Sequence, residues 1–221
     1  MKILVIGEGE VVAECKAKFG SQHEYHVTNS HLEARKLLGQ VSLVFDFILE
    51  EDITQFQLLE DCPVPLFIST AKSSLVEIAG ETVKPVKPML FGFNGLPTFV
   101  NRGTFEVTMT DKANLVKLRE ICSELGTSYE VVEDLPGMVT PRIVCMIINE
   151  AYCTIEDNTA TADNIDIAMK LGTNYPQGPI EWSKRIGLKN VVDVLDAVYK
   201  HSGNERYRIC ELLREEARRE M

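Results

Sequence analysis

Histidine is scarce in this chain: four residues in 221, at positions 23, 26, 31 and 201. Chemistry that needs an imidazole to accept a proton therefore has few places to sit. The six cysteines, at 15, 62, 122, 145, 153 and 210, form no C-x-x-C pair and fall mostly in apolar helical or loop contexts. That argues against a zinc site and fits reduced, buried thiols. No apolar run reaches membrane-spanning length, and no signal peptide is evident, since Met1-Lys2-Ile3 leads directly into a strand. A cytoplasmic location is the expectation. Positive charge is also short, with 23 Lys and Arg against 33 Asp and Glu and a net charge of −10. No nucleic-acid or membrane surface is expected, although a local basic patch can still hold an anionic ligand. Internal repeats and low-complexity segments are absent.

What is present is an ordinary globular composition, 45% hydrophobic and 25% charged, in a chain long enough for two domains with cores of their own. Ile3-Leu4-Val5-Ile6 is a continuous apolar strand. Gly7-Glu8-Gly9 follows, then an apolar-periodic helix from Val11 to Phe19 closed by Gly20. Strand, glycine turn and helix together present free N–H groups and a positive helix end to a phosphate, the arrangement with which dinucleotide folds hold pyrophosphate. The G-x-G-x-x-G fingerprint is incomplete, because Val12 stands at the third glycine. Glu8, Glu10 and Glu14 also bring three carboxylates near that place. Two unit charges ~6 Å apart at an effective dielectric of ~20 interact by ~3 kcal/mol, enough to oppose a pyrophosphate unless the side chains turn away. Either the loop binds NAD, or strand and helix are kept for the fold alone. The strand Glu24 to Thr28 leads to Asn29, about twenty residues past the glycines, where NAD-binding folds carry an acid on the ribose. An amide bonds a ribose hydroxyl less strongly. His31, just beyond, reads as a solvated residue at a polar helix start.

Further apolar strands are expected at Val41 to Ile48, Val64 to Ser69, Thr104 to Met109 and Tyr129 to Val132, alternating with helices at Leu75 to Gly80 and Ala113 to Leu125. Such alternation predicts a parallel, doubly wound α/β sheet. From Gly137 the pattern becomes helical. Thr140 reads as a helix N-cap with Pro141 in the first turn, and Val144, Ile148, Ala151 and Ile155 recur at helical spacing, leaving Asn149 and Glu150 on the wet side. Thr161 caps a second helix running to Gly172, a glycine expected to make the left-handed stop. Pro179 opens a third helix, Asn190 to Lys200 forms a fourth ended by Gly203, and Glu205 to Met221 forms the last.

The succession Pro136-Gly137, Asn149-Glu150-Ala151, Asp166 through Gly172, and Pro176-Gln177-Gly178-Pro179-Ile180-Glu181 resembles the C-terminal helical domain of the L-3-hydroxyacyl-CoA dehydrogenases. The resemblance implies a divergent, shortened family member: a degenerate Rossmann-like NAD-binding domain over 1–136 and an all-α domain over 137–221. It also implies an acyl-CoA-type small-molecule ligand, a role in fatty-acid metabolism, and a homodimer formed through the helical domain. Carried over residue by residue, Gly7, Gly9 and Asn29 would meet a weakly bound NAD. Thr70-Ala71-Lys72-Ser73-Ser74-Leu75 is similar to the family's Ser-Asn-Thr-Ser-Ser-Leu, which places Ser73 on the substrate oxygen; by its position alone, Ser73 could equally cap the next helix. Lys72 is either the cation nearest the substrate path or a surface lysine. Glu106 matches the glutamate that orients the family's catalytic histidine, or is an exposed strand glutamate.

Two positions break the pattern. Pro88 to Pro97 occupies the place of the family's His-Phe-Phe-Asn-Pro, and aligned on Phe93-Asn94 the general-base histidine becomes Phe91. A phenyl ring has no atom to accept the hydroxyl proton. The family's Gly-Phe-x-x-Asn-Arg becomes Gly137 to Arg142, so the substrate-contacting asparagine becomes Pro141, which donates nothing. The function implied is a 3-hydroxyacyl-CoA dehydrogenase homologue with chemistry impaired or lost. The alternative is a non-catalytic homologue that binds a ligand or serves as a partner subunit.

Overall fold

The strands at the centre of the first half are short, mainly apolar and buried, as strands covered on both faces are. The computed structural model describes residues 1–80 and 88–220; Met221, the expected end of the last helix and of the second domain, lies outside the described residues. The chain divides into two units, Met1–Met138 and Val139–Met221.

In the first unit, strands β1 (Lys2–Ile6), β2 (Glu24–Thr28), β3 (Leu43–Asp46), β4 (Leu66–Ser69), β5 (Leu90–Phe93), β6 (Thr104–Thr108) and β7 (Ser128–Val131) alternate with helices α1 (Gly9–Phe19), α2 (His31–Leu37), α3 (Leu75–Ala79) and α4 (Leu115–Leu125). They form one sheet in the order β2-β1-β3-β4-β5-β6-β7. The first five strands are parallel. The expectation of an all-parallel sheet needs correction at its end: β6 runs antiparallel to β5, and β7 pairs parallel with β6. The short connection from β5 to β6, without a crossover helix, makes that antiparallel step possible.

Strict alternation along the strands loads the two faces differently. One face joins Ile3, Val5, Phe45, Phe67, Phe91, Phe93 and Phe105 to Phe19 of α1 and Leu118 and Ile121 of α4. The other joins Leu4, Ile6, Val44, Leu66, Ile68 and Leu90 to Ala34 of α2 and Leu75 and Ile78 of α3. His31 is not solvated as expected. It is buried, and its Nε2 lies 2.8 Å from Oδ2 of the fully buried Asp46. Oδ1 of Asp46 accepts the amides of Ile48 and Leu49, each at 3.0 Å. A buried carboxylate without partners would be costly, and the ring removes that cost at the end of β3.

The second unit contains α5 (Thr140–Glu156), α6 (Ala162–Gly172), α7 (Pro179–Ile186), α8 (Leu188–Ser202) and α9 (Glu211–Arg219). Helix α5 is central, packing on α7, α8 and α9. Four local expectations change here. Thr140 is the first helical residue and not the cap, with Pro141 in the first turn. Asn149 is buried rather than wet. The left-handed residue after α6 is Asn174, at φ 58°, and not Gly172. The final helix is broken: a 3-10 turn spans Glu205–Tyr207, and α9 begins only at Glu211.

Asn149 explains both the burial and the break. Its Oδ1 accepts the amide of Cys210 at 2.9 Å and its Nδ2 donates to the carbonyl of Arg208 at 3.0 Å, holding residues 208 to 210 in extended form. Asp166 works in a similar way on α7. Its two carboxylate oxygens accept the amides of Ile180 and Glu181 at 2.8 and 2.9 Å, capping a helix whose own N-cap, Gly178, has no side chain to do so. A Cβ on Gly178 would overlap the Asp166 carboxyl group. The acid, the glycine and Pro179 thus form one lock.

Candidate functional site

In an open parallel sheet the binding crevice lies beyond the carboxyl ends of the strands, where the strand order reverses, here between β1 and β3. Gly7 and Gly9 follow β1 at that point, Gly9 with φ 63° and open space around its Cα. Gly7 faces Phe47, the residue after β3, and a Cβ there would meet Phe47 Cβ at 3.1 Å. The Phe47 ring also packs edge-on against Phe93, with centroids 5.1 Å apart, and lies 3.2 Å from where a Cβ of Gly95 would stand. Two glycines, one from each side, accommodate one phenyl group at the switch point.

The carboxylates expected to crowd this loop separate. Glu14 is directed away from it: Oε1 accepts the Thr98 amide at 2.6 Å, and Oε2 accepts those of Val100 and Asn101 at 3.1 and 3.4 Å. Glu8 stays, and its Oε2 accepts a hydrogen bond from Asn29 Nδ2 at 3.2 Å. The amide at the ribose-reading position is therefore paired with an acid from the phosphate-reading loop.

Ser73 is not the cap of α3. Ser74 caps it, in a reciprocal box with Glu77. Ser73 instead donates its hydroxyl to Glu50 Oε1 at 3.1 Å. The same oxygen accepts the amides of Lys72 at 2.6 Å and Ser73 at 2.9 Å, while Oε2 accepts the hydroxyl of Ser69 at 2.9 Å. Burial pushes the Glu50 carboxyl up to about 7, the hydrogen bonds from Lys72, Ser69 and Ser73 opposing it. Lys72 places Nζ 2.6 Å from Glu51 Oε1. A titratable carboxyl thus engages Ser73, the residue that the resemblance places on the substrate oxygen.

Phe91 lies fully buried in β5, stacked on Phe67 with centroids 4.7 Å apart and planes at 27°. Its cluster includes Phe19, Phe45, Phe93 and Phe105. Glu106 sits on the half-buried face of β6, in register with Glu130 of β7. Its strand neighbours Phe105 and Val107 point into the phenylalanine cluster, so alternation directs Glu106 to the sheet face opposite Phe91. The carried-over pair of base and orienting acid therefore does not form. In the helical unit, Pro141 is buried in the first turn of α5.

Phe47 and Glu50 are the residues that local patterns did not single out. The signal was available for Phe47: a bulky ring follows Asp46 directly, at the C-terminal end of a strand beside a glycine loop. Glu50 lay within an acidic run whose members look alike in sequence, and only the fold separates the one turned inward.

Comparison with known proteins gives a consistent picture. Residues 137–220 match the family model for the 3-hydroxyacyl-CoA dehydrogenase C-terminal domain. The 3-hydroxyadipyl-CoA dehydrogenase of Escherichia coli K12 is 44% identical over 92 residues, 42% of this chain and 19% of that protein. The 3-hydroxybutyryl-CoA dehydrogenase of Clostridioides difficile is 29% identical over 213 residues, 95% of this chain and 75% of that protein. The chain spans 50% of the similar enzyme from Bradyrhizobium diazoefficiens, so it matches curated relatives over very different shares of their length. Among solved structures, FadB2 of Mycobacterium tuberculosis shares the fold with a TM-score of 0.79 at 17% identity, covering 99% of this chain and 93% of that one. (S)-3-hydroxybutyryl-CoA dehydrogenase PaaH1 of Ralstonia eutropha does so with 0.73 at 20%, covering 97% and 92%. Motif order and the family model place residues 137–220 in the 3-hydroxyacyl-CoA dehydrogenase C-terminal domain family, and the chain shares the fold of these solved structures.

Proposed function

We propose that this chain is a 3-hydroxyacyl-CoA dehydrogenase homologue in which NAD-linked oxidation of a 3-hydroxyacyl-CoA is impaired or lost. The observation that carries this reading is Phe91, a fully buried ring stacked on Phe67 within the phenylalanine cluster, at the position where the resemblance would put the family's proton acceptor. Removing a hydride from an alcohol carbon leaves a hydroxyl proton to be taken, and loss of the group that takes it costs roughly 10²–10⁴ in rate. Pro141 removes a second polar contact, and Ser73 is already engaged by Glu50.

The residues at the switch point do not fit a dinucleotide well. Phe47 fills space against Gly7, and Glu8 engages Asn29 and keeps a negative charge where pyrophosphate would lie. The role left for the fold is that of a non-catalytic, cytoplasmic ligand-binding or partner subunit, dimeric through its helical unit.

A second reading has one observation in its favour. Glu50 titrates near neutrality and touches Ser73, so it is the group that could act as base in a working enzyme. NADH formation from 3-hydroxybutyryl-CoA and NAD+ at pH 6 to 10 tests both. No turnover above buffer is expected; steady turnover that disappears in Glu50→Gln would replace the first reading with the second.

A further inference from the structure

Helix α5 carries Ile143, Met146 and Ile147, spaced so that all three share one face. They line an open pocket of about 410 Å³ whose other side is formed by Arg142, Arg206 and Tyr207. That volume is within the range of ordinary small-molecule pockets, about 300–1,000 Å³. The polar end is built around one atom. Tyr207 is buried, and its Oη accepts hydrogen bonds from Arg142 Nη1 at 3.4 Å and from Arg206 Nη2. Both guanidinium groups also lie over the Tyr207 ring, 5.7 and 4.5 Å from its centre.

Two positive groups therefore converge on a single neutral oxygen, in a chain whose net charge is −10. Burial pushes the Tyr207 phenol up, but the hydrogen bonds and charges of Arg206 and Arg142 leave it below its ordinary value, a sign of positive potential at that atom. A planar guanidinium can match a carboxylate through two parallel hydrogen bonds, and a second one beside it adds positive charge. Glu150, the one acid lining the cavity, disfavours a second negative charge and so selects a carboxylate over a phosphate dianion. Ile143, Met146 and Ile147 extend from the charged end and suit a hydrocarbon chain.

We propose that this cavity binds a monocarboxylate carrying a medium-length apolar chain, its carboxyl group on Arg142 and Arg206 and its chain along α5. The site lies within the helical unit and is independent of whether hydride chemistry survives in the first.

Titration calorimetry of the full chain with sodium octanoate tests it, with 1-octanol and inorganic phosphate as comparators. Octanoate is expected to bind at least about tenfold more tightly than either, because one comparator lacks the charge and the other the chain. Arg206→Gln, at an exposed residue, should weaken octanoate about tenfold or more. Ile143→Glu, at a side chain 55% exposed, should do the same while leaving circular dichroism unchanged. Absence of octanoate binding overturns the proposal. So does equal binding of 1-octanol, equal competition by phosphate, or unchanged affinity in both variants.

Discussion

In the helical unit, the family's motif residues hold backbone. Asn149 binds the Arg208 carbonyl and the Cys210 amide along one edge of the 208 to 210 segment, and Asp166 caps α7 through a space that Gly178 leaves open. In the sheet unit, the motif positions that would have met substrate and cofactor are filled from within: Phe91 by a phenylalanine stack, Ser73 by Glu50, Asn29 by Glu8 and Gly7 by Phe47. The contrast shows what each kind of residue is for. A residue that satisfies buried N–H and C=O groups cannot change without leaving them unpaired, whatever the protein does. A residue whose partner is a bound ligand has no such tie to the fold.

The contrast can be broken most forcefully at Asn149. Asn149→Ala would leave a buried amide and a buried carbonyl without partners, at a cost of about 2–4 kcal/mol. The one tryptophan of the chain, Trp182, is buried in α7, so its fluorescence during urea unfolding reports on this unit. An unchanged midpoint would mean that Asn149 is not the structural tie described above. Gly178→Ala should come next, at about 1–3 kcal/mol, because the added methyl displaces the Asp166 carboxylate from the start of α7. Pairing it with Asp166→Ala, which removes both the obstacle and the cap, should give less than the sum of the two single effects.

The smallest effect is expected in the sheet unit and depends on pH. Glu50 is raised to about 7 in the folded chain by burial, above the 4.5 of an ordinary glutamate. The folded state therefore holds a proton that the unfolded state has released between those values. Stability contributed by this group is present below about pH 4.5 and is lost as pH rises through about 7. Discounted for partial exposure, the change is about 1–2 kcal/mol, or roughly 2–8 °C in Tm for a chain of this size. Glu50→Gln should flatten that slope; an identical slope in the variant would assign it to another group.

Much of the scaffold was legible in the sequence, because strand and helix periods are local. Ile3 to Ile6, the glycine turn and the helix to Phe19 could be read as one unit, and Gly126 and Gly203 ended their helices in the left-handed conformation as expected. What was not legible depends on pairs distant in sequence. His31 with Asp46, Glu14 with the loop at 98 to 101, Glu50 with Ser73, and Asn149 with residues 208 to 210 are polar residues that look solvated until the fold brings a partner to them. The direction of β6 was hidden for a similar reason, since an apolar strand reads the same in parallel and antiparallel pairing. Of the candidate site, the departures at Phe91 and Pro141 from the pattern that the resemblance implies could be read from residue type alone, whereas the contacts of Phe47 with Gly7 and of Glu50 with Ser73 required the structure.

The most direct test places an imidazole at position 91. Phe91→His is assayed beside the wild-type chain for NADH formation from 3-hydroxybutyryl-CoA at pH 6 to 10. Position 91 lies within an apolar phenylalanine cluster and Glu106 is directed to the opposite face of the sheet, so no gain in turnover and a lower Tm are expected. A gain of about a hundredfold or more would show that only a single group had been lost from an otherwise working site, and would contradict the closed one described here.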